Sequence, residues 1–226
     1  MPETWGVRVR NWGAVLVVLA LAGCSADPTP APPPPSAASA VPTPADLDKR
    51  VKAALAPPGA FDSLGGRFSR DNPENEADPA LDEEPVTSVC TDTPMRIDTG
   101  ISAARIRSWG GGVQLLEMVH ATSDLPGTVM LSTVQRWSRL CTTYSPEGVS
   151  NRTLVPDVPL AKPAGVDEAY SYCEKTDFVI LPVRCTAVLA RGNLLATITA
   201  MGADQDAVME QLRSALPIFV EPFVKA

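Results

Sequence analysis

The strongest constraint on the fold is an alternation of apolar and polar side chains on both sides of Gly192-Asn193. Apolar residues occupy every second position of residues 183–189, and the same period continues through residues 194–200. A period of two is typical of a β-strand, and a Gly-Asn pair between two such segments is a hairpin signal. The sequence therefore predicts two antiparallel strands, and Pro182 predicts that the first of them is an edge strand or carries a bulge.

A second hairpin is predicted earlier in the chain. Residues 104–109 and 113–121 have the composition of strands, and three consecutive glycines lie between them. Glycine has no Cβ atom and therefore tolerates the backbone conformations of a tight reversal. These two segments are expected to pair with each other in the same way.

Three segments have the period of an amphipathic helix. The first is expected to begin after Asp46, which can cap its first turn, and to stop at Pro57. The last is expected to begin after Asp204, which can cap it in the same way. The apolar residues that define these two helices are Leu47, Val51, Leu55, Val208, Leu212, Leu216 and Phe219.

The middle helix is expected from about Thr128, and its apolar stripe consists of Met130, Val134, Trp137 and Cys141. Trp137 could be a stacking platform for a ligand, but an aromatic residue within such a stripe is more often part of the core. Helices and strands together predict an α+β domain, in which the helices pack on one face of an antiparallel sheet.

The first 23 residues have the three parts of an export signal. Arg8 and Arg10 precede an apolar core over residues 12–22, which is too short to span a bilayer. Residues 21–24, with the sequence LAGC, resemble the bacterial lipobox, in which the cysteine becomes the acylated mature N-terminus. The sequence therefore predicts lipidation of Cys24 and a position on the extracytoplasmic face of the cell membrane. The alternative is an ordinary cleaved signal followed by an unpaired thiol.

A proline-rich tether is predicted between the lipidated Cys24 and the folded domain, which would occupy residues 46–226. Residues 25–45 contain eight prolines, and Val41 is their single large apolar residue. Such a segment cannot form a core, and in polyproline geometry of about 3.1 Å per residue it would extend to roughly 65 Å. Its expected role is to hold the domain away from the lipid.

The charge of the chain excludes some classes of partner. With 19 Lys and Arg against 26 Asp and Glu, the net charge is −7, which argues against nucleic acid binding and against electrostatic membrane binding beyond the lipid. Residues 70–85 are acidic and proline-punctuated and are predicted to be a loop. They lack the spacing and the glycine of an EF-hand, so no metal site is predicted there. No cofactor is predicted either.

Four cysteines follow Cys24: Cys90, Cys141, Cys173 and Cys185. An even number in an exported domain favours two disulfides, for which three pairings are formally possible. We favour Cys90 with Cys141 and Cys173 with Cys185, because the second pair can close a strand-loop-strand unit. Zinc binding is disfavoured, since no CxxC pair occurs and His120 is the single histidine.

Three features of the sequence resemble the PknH-like extracellular sensor domain, which occurs on receptor Ser/Thr kinases and on free-standing lipoproteins. They are Trp137 followed four residues later by Cys141, the Cys173 and Cys185 pair, and the hairpin across Gly192-Asn193. The resemblance covers roughly residues 45–226. It implies a twisted antiparallel sheet, two intramolecular disulfides and a cleft for an unidentified ligand. It supplies no catalytic residues, and without a kinase segment in this sequence it does not imply the signalling output.

Enzymatic function is the first alternative to be weighed, and we predict that the protein is not an enzyme. GxSxG is absent, and any triad would have to use His120, which lies in an apolar-rich strand where a structural role is expected. A thiol enzyme would need a reactive cysteine, whereas the cysteines are predicted to be paired. A pair of carboxylates for glycoside hydrolysis stays open, because spatial pairing is invisible in a sequence.

A binding module for a small molecule or an envelope component is the preferred function. Alternation places Arg105, Arg107 and Trp109 on one side of their strand, and Tyr170 and Tyr172 lie near strand ends or loops. These residues offer cationic donors and aromatic faces and are the candidate ligand-binding residues. The alternative for Arg105, Arg107 and Trp109 is that they form a solvated strand face with salt bridges. A third hypothesis is an interaction lipoprotein that docks on another envelope protein.

Overall fold

The computed structural model describes residues 42–71, 89, 101–145, 151–177 and 180–226. These residues belong to one compact unit, Ala40–Ala226. The predicted signal peptide, most of the predicted tether, Cys24 and Cys90 lie outside the described residues, as do residues 72–85 of the acidic segment.

The central feature of the fold is one open antiparallel sheet of eight strands. The strands are β1 (Gly66–Asp71), β2 (Ile101–Gly111), β3 (Leu115–Thr122), β4 (Thr143–Tyr144), β5 (Arg152–Val155), β6 (Glu168–Thr176), β7 (Val183–Arg191) and β8 (Leu194–Gly202). Their order across the sheet is β1-β2-β3-β8-β7-β6-β5-β4, so the pairing of β3 with β8 joins the two predicted hairpins at the centre.

Both predicted hairpins are confirmed. β2 pairs with β3, and β7 pairs with β8 across Gly192, whose φ of 55° is easily adopted without a Cβ atom. Pro182 immediately precedes β7, which lies between β6 and β8, so the predicted edge position or bulge is wrong. Pro182 is tolerated because it comes before the first residue of the strand, and its carbonyl accepts a hydrogen bond from the Thr176 amide.

The three predicted helices are α1 (Pro44–Ala54), α2 (Gly127–Leu140) and α3 (Gln205–Lys225). Asp204 caps α3 as predicted, by accepting hydrogen bonds from two backbone amides of the first turn. Asp46 does not cap α1, however. The cap is Thr43, whose hydroxyl accepts from the Asp46 amide while the Asp46 carboxylate accepts from the Thr43 amide. This capping box starts the helix at Pro44, a favoured first residue.

The α+β class is confirmed, but the helices do not all pack on one face of the sheet. α1 and α3 cover one face, which we call the α1/α3 face, and its core includes Leu47, Val119, Cys173, Leu189, Leu212 and Phe219. α2 covers the opposite face, which we call the α2 face, with Met130, Val134, Tyr170, Val188 and Leu195 in its core. The central strands are buried on both sides, and the continuous apolar run at residues 187–190 reflects this.

The start of α2 is held against the β7–β8 turn. The Gly127 amide donates to the Gly192 carbonyl at 2.7 Å, and a Cβ atom on Gly127 would lie 2.1 Å from the carbonyl oxygen of Leu194. A side chain therefore cannot be placed at Gly127 without moving the helix. This close approach seats α2 on its own face of the sheet.

Trp137 is not the core residue that the helical stripe predicted, because 42% of it is exposed. Met130 and Val134 are buried as expected, but towards the C-terminus of α2 the buried position is taken by Ser138. The Ser138 hydroxyl and the Tyr170 hydroxyl share a hydrogen bond of 2.5 Å. Ser138 is thus a buried polar residue with a hydrogen-bond partner, and Trp137 lies at the margin of the interface.

One of the two predicted disulfides, Cys173–Cys185, is present in the described residues. The two cysteines are direct partners in the register of β6 and β7, so the bond closes a strand-loop-strand unit as predicted. Cys141 is also disulfide-bonded. Its predicted partner, Cys90, lies outside the described residues, so that pairing stays a prediction.

Candidate functional site

The two arginines proposed for ligand binding face α1 and the segment that follows it. Arg105 makes an ion pair of 2.6 Å with Asp48 of α1, and only 9% of its side chain is exposed. The Arg107 guanidinium donates a hydrogen bond of 2.7 Å to the carbonyl of Ala56. Both arginines therefore hold the N-terminal segment of the domain on the sheet.

Glu117 completes this attachment from the neighbouring strand. It is opposite Arg107 in the register of β2 and β3, and its Oε2 accepts a hydrogen bond of 3.0 Å from the Ala56 amide. The N–H and the C=O of one peptide residue are thus bound by a carboxylate and a guanidinium. Burial raises the pKa of Glu117 to about 8, because desolvation disfavours its charged form.

Trp109, the third residue of the predicted row, is a core residue. Its side chain is 1% exposed, and its indole N–H donates to the carbonyl of Pro58 at 2.8 Å. The ring packs edge-on against Phe61 and Phe219, with centroid distances of 4.8 and 5.6 Å. The alternation correctly predicted that Arg105, Arg107 and Trp109 lie on one side of β2. That side is covered by α1 and the segment after it.

Tyr170 and Tyr172 lie on the opposite face of the sheet, beneath α2. Their rings are stacked with centroids 6.1 Å apart, and both are buried. The Tyr170 hydroxyl also accepts a hydrogen bond from the Asp157 amide at 3.3 Å. The structure therefore does not bring the five candidate residues together, because three lie on the α1/α3 face and two on the α2 face.

A cluster of charged and phenolic side chains continues the tyrosine row along the α2 face. We call it the Glu174 cluster, and it consists of Tyr144, Arg152, Tyr172, Glu174 and Arg184. Four adjacent strands supply it, namely β4, β5, β6 and β7. The Tyr144 hydroxyl donates a hydrogen bond to Oε1 of Glu174, and Nη1 of Arg152 lies 3.5 Å from the same oxygen.

The electrostatics of this cluster favour a titrating carboxyl group. Burial raises the pKa of Glu174 to about 7, and the opposing positive charge of Arg184 only partly offsets this effect. Burial also lowers the pKa of both Arg152 and Arg184 from the usual guanidinium value. Near neutral pH, the carboxyl group of Glu174 is therefore partly protonated, with Arg152 3.5 Å from it and Arg184 opposite it in the register of β6 and β7.

Part of the Glu174 cluster could have been inferred from the sequence. Cys173 and Cys185 were predicted to be bonded, and in an antiparallel hairpin the next residue of one strand faces the preceding residue of the other. That rule pairs Glu174 with Arg184, as the register shows. Arg152 and Tyr144 could not be added in this way, because β5 and β4 are short strands without a clear alternation.

An apolar groove of about 440 Å³ lies on the other side of the molecule, between the end of α1 and the C-terminal part of α3. It is lined by Ala53, Pro57, Ala60, Ile218, Glu221, Pro222 and Lys225. The two charged residues pair with each other at 2.7 Å across one helical turn. The lining of the groove is therefore mainly alkyl, with this ion pair as its charged part.

Within the described ranges, no three His, Cys, Asp or Glu side chains are grouped as metal ligands would be. No helix of the described residues is long and apolar enough to cross a membrane.

The fold class is thus an α+β domain built on one open antiparallel sheet. It is similar to the extracellular domain of PknH from Mycobacterium tuberculosis, with a TM-score of 0.52 and 14% sequence identity. The similarity covers 79% of this chain and 97% of that domain. The resemblance inferred from the sequence is confirmed at the level of the fold. No protein-family model matches the chain, and no curated protein matches it.

Proposed function

We propose that this protein is a lipid-anchored sensor-like module on the extracytoplasmic face of the cell membrane, where it binds a small molecule or an envelope component. The observation that carries the proposal is the fold shared with nearly the whole extracellular domain of PknH. The Cys173–Cys185 disulfide supports an oxidising location outside the cytoplasm. The lipobox-like residues 21–24 support the anchor.

The proposal does not assign catalysis to the domain. His120, the single histidine of the chain, is completely buried, and neither ring nitrogen has a hydrogen-bond partner among the described residues. Glu117 and Glu174, the two buried carboxyl groups of the described residues whose pKa values are raised, lie on opposite faces of the sheet. They therefore do not form the facing pair that glycoside hydrolysis requires.

Native mass spectrometry of the protein purified from its own envelope tests the binding function. The mass is compared with that of the same protein after denaturing extraction. We expect a discrete additional mass that is lost on extraction and that identifies the chemical class of the ligand. The same bare mass in both samples, together with no thermal shift in an envelope extract, would contradict the binding function.

The lipid anchor is tested separately with Cys24→Ser. The wild-type protein should partition with membranes and carry acyl chains on its N-terminal peptide, whereas the variant should be released or retain its signal. Ser36→Ala is a control, since it changes a residue of the predicted tether outside the lipobox and leaves every cysteine in place. A wild-type N-terminal peptide without acyl chains, together with equal membrane partitioning of wild type and Cys24→Ser, would exclude lipidation.

An interaction lipoprotein is the second candidate, and the outer surface of α2 favours it. Val129, Trp137 and Leu140 of this helix are 44%, 42% and 66% exposed. Three large apolar residues on the outer surface of one helix are typical of a docking surface. Under this alternative, Leu140→Arg should abolish crosslinking to an envelope protein and leave the ligand mass unchanged, while Ile180→Arg, at an exposed residue outside α2, should leave the crosslink intact.

A further inference from the structure

We propose that the outer face of α2 docks on the anionic surface of the bilayer to which the chain is anchored. This inference rests on the lipid anchor of the proposed function. It goes beyond that anchor, because the contact is made by side chains of the folded domain.

The first argument is the arrangement of exposed residues along α2. Val129, Arg136 and Leu140 follow one another at steps of seven and four residues, which are close to whole helical turns, so they lie along one side of the helix. All three are exposed, Val129 by 44% and Leu140 by 66%. The side that packs on the sheet carries the buried residues Met130, Leu131, Val134 and Ser138. The helix thus has apolar residues on two sides, and the sheet covers one of them.

The second argument is the aromatic residue at the margin of this exposed side. Trp137 is 42% exposed. Tryptophan is enriched where membranes meet water, because its ring is apolar and its N–H group is a hydrogen-bond donor. Together with Val129 and Leu140, it gives α2 the side chains of a helix that lies in a membrane interface.

The third argument is the charge of the helix. α2 contains two arginines and no Asp or Glu, although the net charge of the whole chain is −7. Arg139 is paired with Asp157 at 2.7 Å, whereas Arg136 is exposed on the same side as Val129 and Leu140. One positive charge among apolar side chains is complementary to anionic lipid head groups above acyl chains.

The fourth argument is proximity, which favours a bilayer over a protein as the partner. A predicted tether that extends to at most roughly 65 Å would keep the domain within that distance of the membrane. Tethering raises the effective concentration of the bilayer surface, so a weak contact is sufficient. The contact is expected to be weak without the anchor, since the net charge of −7 opposes approach to an anionic surface.

Vesicles of phosphatidylglycerol and phosphatidylcholine test the docking with residues 25–226, which contain the whole compact unit and lack Cys24. This segment has two tryptophans, and Trp109 is in the core, so a change in emission reports on Trp137. We expect a saturable blue shift and quenching by brominated acyl chains. Both should weaken with phosphatidylcholine alone and at higher salt concentration.

Three glutamine variants assign the contact to the outer face of α2. Leu140→Gln removes an exposed apolar side chain without adding charge, and it should weaken vesicle binding at least about tenfold. Arg136→Gln should weaken binding to the anionic vesicles about fivefold and leave binding to phosphatidylcholine unchanged. Ile180→Gln is the matched control for Leu140→Gln, because Ile180 is 75% exposed and lies outside α2. It should bind like the wild type.

Equal vesicle binding by wild type and Leu140→Gln, or unchanged emission at the highest lipid concentration, would overturn the docking. A crosslink to an envelope protein that Leu140→Gln abolishes, with no binding to vesicles, would also overturn it and assign this face to the second candidate function. Residues 25–226 carry no lipidated cysteine, so failure of the docking would leave the lipid anchor standing, which Cys24→Ser tests separately.

Discussion

Two neighbouring pairs of residues in the β6–β7 hairpin show how differently the faces of the sheet are used. Cys173 faces Cys185 on the α1/α3 face, and one residue further on Glu174 faces Arg184 on the α2 face. The first pair is a covalent bond inside an apolar core. In the second pair, a buried carboxyl group that contacts Arg152 lies opposite a guanidinium group whose Nε has no hydrogen-bond partner among the described residues.

The two faces of the sheet differ in what their buried polar groups bind. On the α1/α3 face, polar groups such as Arg107 and Glu117 are used to bind the backbone of the N-terminal segment. On the α2 face, the charged groups bind each other and approach the surface. Buried charge without a full set of partners costs stability, and proteins retain it more often where it has a function.

The largest expected effect is the difference in the free energy of unfolding between substitutions at the two tryptophans of the folded domain. Trp109→Ala should lower the free energy of unfolding by about 3–5 kcal/mol, because it removes a fully buried ring and opens a cavity beside Phe61 and Phe219. Trp137→Ala, at an exposed position on α2, should cost about 1 kcal/mol. Urea unfolding measures both, and equal losses would show that the α1/α3 face is not the dominant core.

Removal of the cross-strand bond should have the next largest effect. Cys173→Ala combined with Cys185→Ala should lower the free energy of unfolding by about 3 kcal/mol, since the bond closes a loop with a sequence separation of 12. The comparison variant is Thr186→Val with Thr199→Val, which removes a buried hydroxyl pair from the neighbouring β7–β8 hairpin. A disulfide loss below about 1 kcal/mol, no larger than that of the threonine pair, would contradict a stabilising role.

Acid should destabilise the α2 face through His120. Burial lowers the pKa of this histidine to about 4 from 6.5, so the unfolded chain takes up a proton at a higher pH than the folded one. The stabilisation is complete above about pH 6.5 and is lost as the pH falls towards 4, with a loss on the order of 2 kcal/mol between about pH 7.5 and pH 5. In His120→Leu this part of the pH dependence should disappear. An unchanged profile in unfolding curves would show that the imidazole is not buried as described.

The last comparison is between the two buried glutamates of the described residues, one on each face. Their pKa values are raised to about 8 at Glu117 and about 7 at Glu174, so the folded state holds these protons at a pH where the unfolded state has released them. Stability should therefore fall as the pH rises from about 4.5 through these values. Glutamine has no proton to release in this range, so Glu117→Gln and Glu174→Gln should each remove their part of this fall in urea unfolding curves measured at several pH values.

Most of the elements of this fold could be predicted from local pattern. The Gly192-Asn193 hairpin, the glycine-linked hairpin before it and the cap at Asp204 were all correctly inferred, because periodicity and turn chemistry are local properties. The resemblance to the PknH-like domain was also visible, although it depended on short motifs. The start of α1 was misplaced, since Thr43 and Asp46 are both capable of capping and only their reciprocal hydrogen bonds decide between them.

The candidate site was less predictable. Arg105, Arg107 and Trp109 were correctly grouped on one side of β2, but a period of two does not say which side another segment will cover. Here α1 and the segment after it cover these three residues, so their side chains bind that segment and are not available to a ligand. Tyr170 and Tyr172 marked the correct face and strand for the Glu174 cluster without identifying its charged members.

The sequence by itself determined the strand and helix periods, the turns, the cross-strand disulfide and, through it, the opposition of Glu174 and Arg184. These features depend on contacts between neighbours along the chain or across one hairpin. The tertiary structure decided that α2 covers the face opposite α1 and α3, and that Arg152 and Tyr144 complete the Glu174 cluster. Desolvation and charge pairing between distant segments set which polar groups are buried, and those contacts exist only once the sheet has assembled.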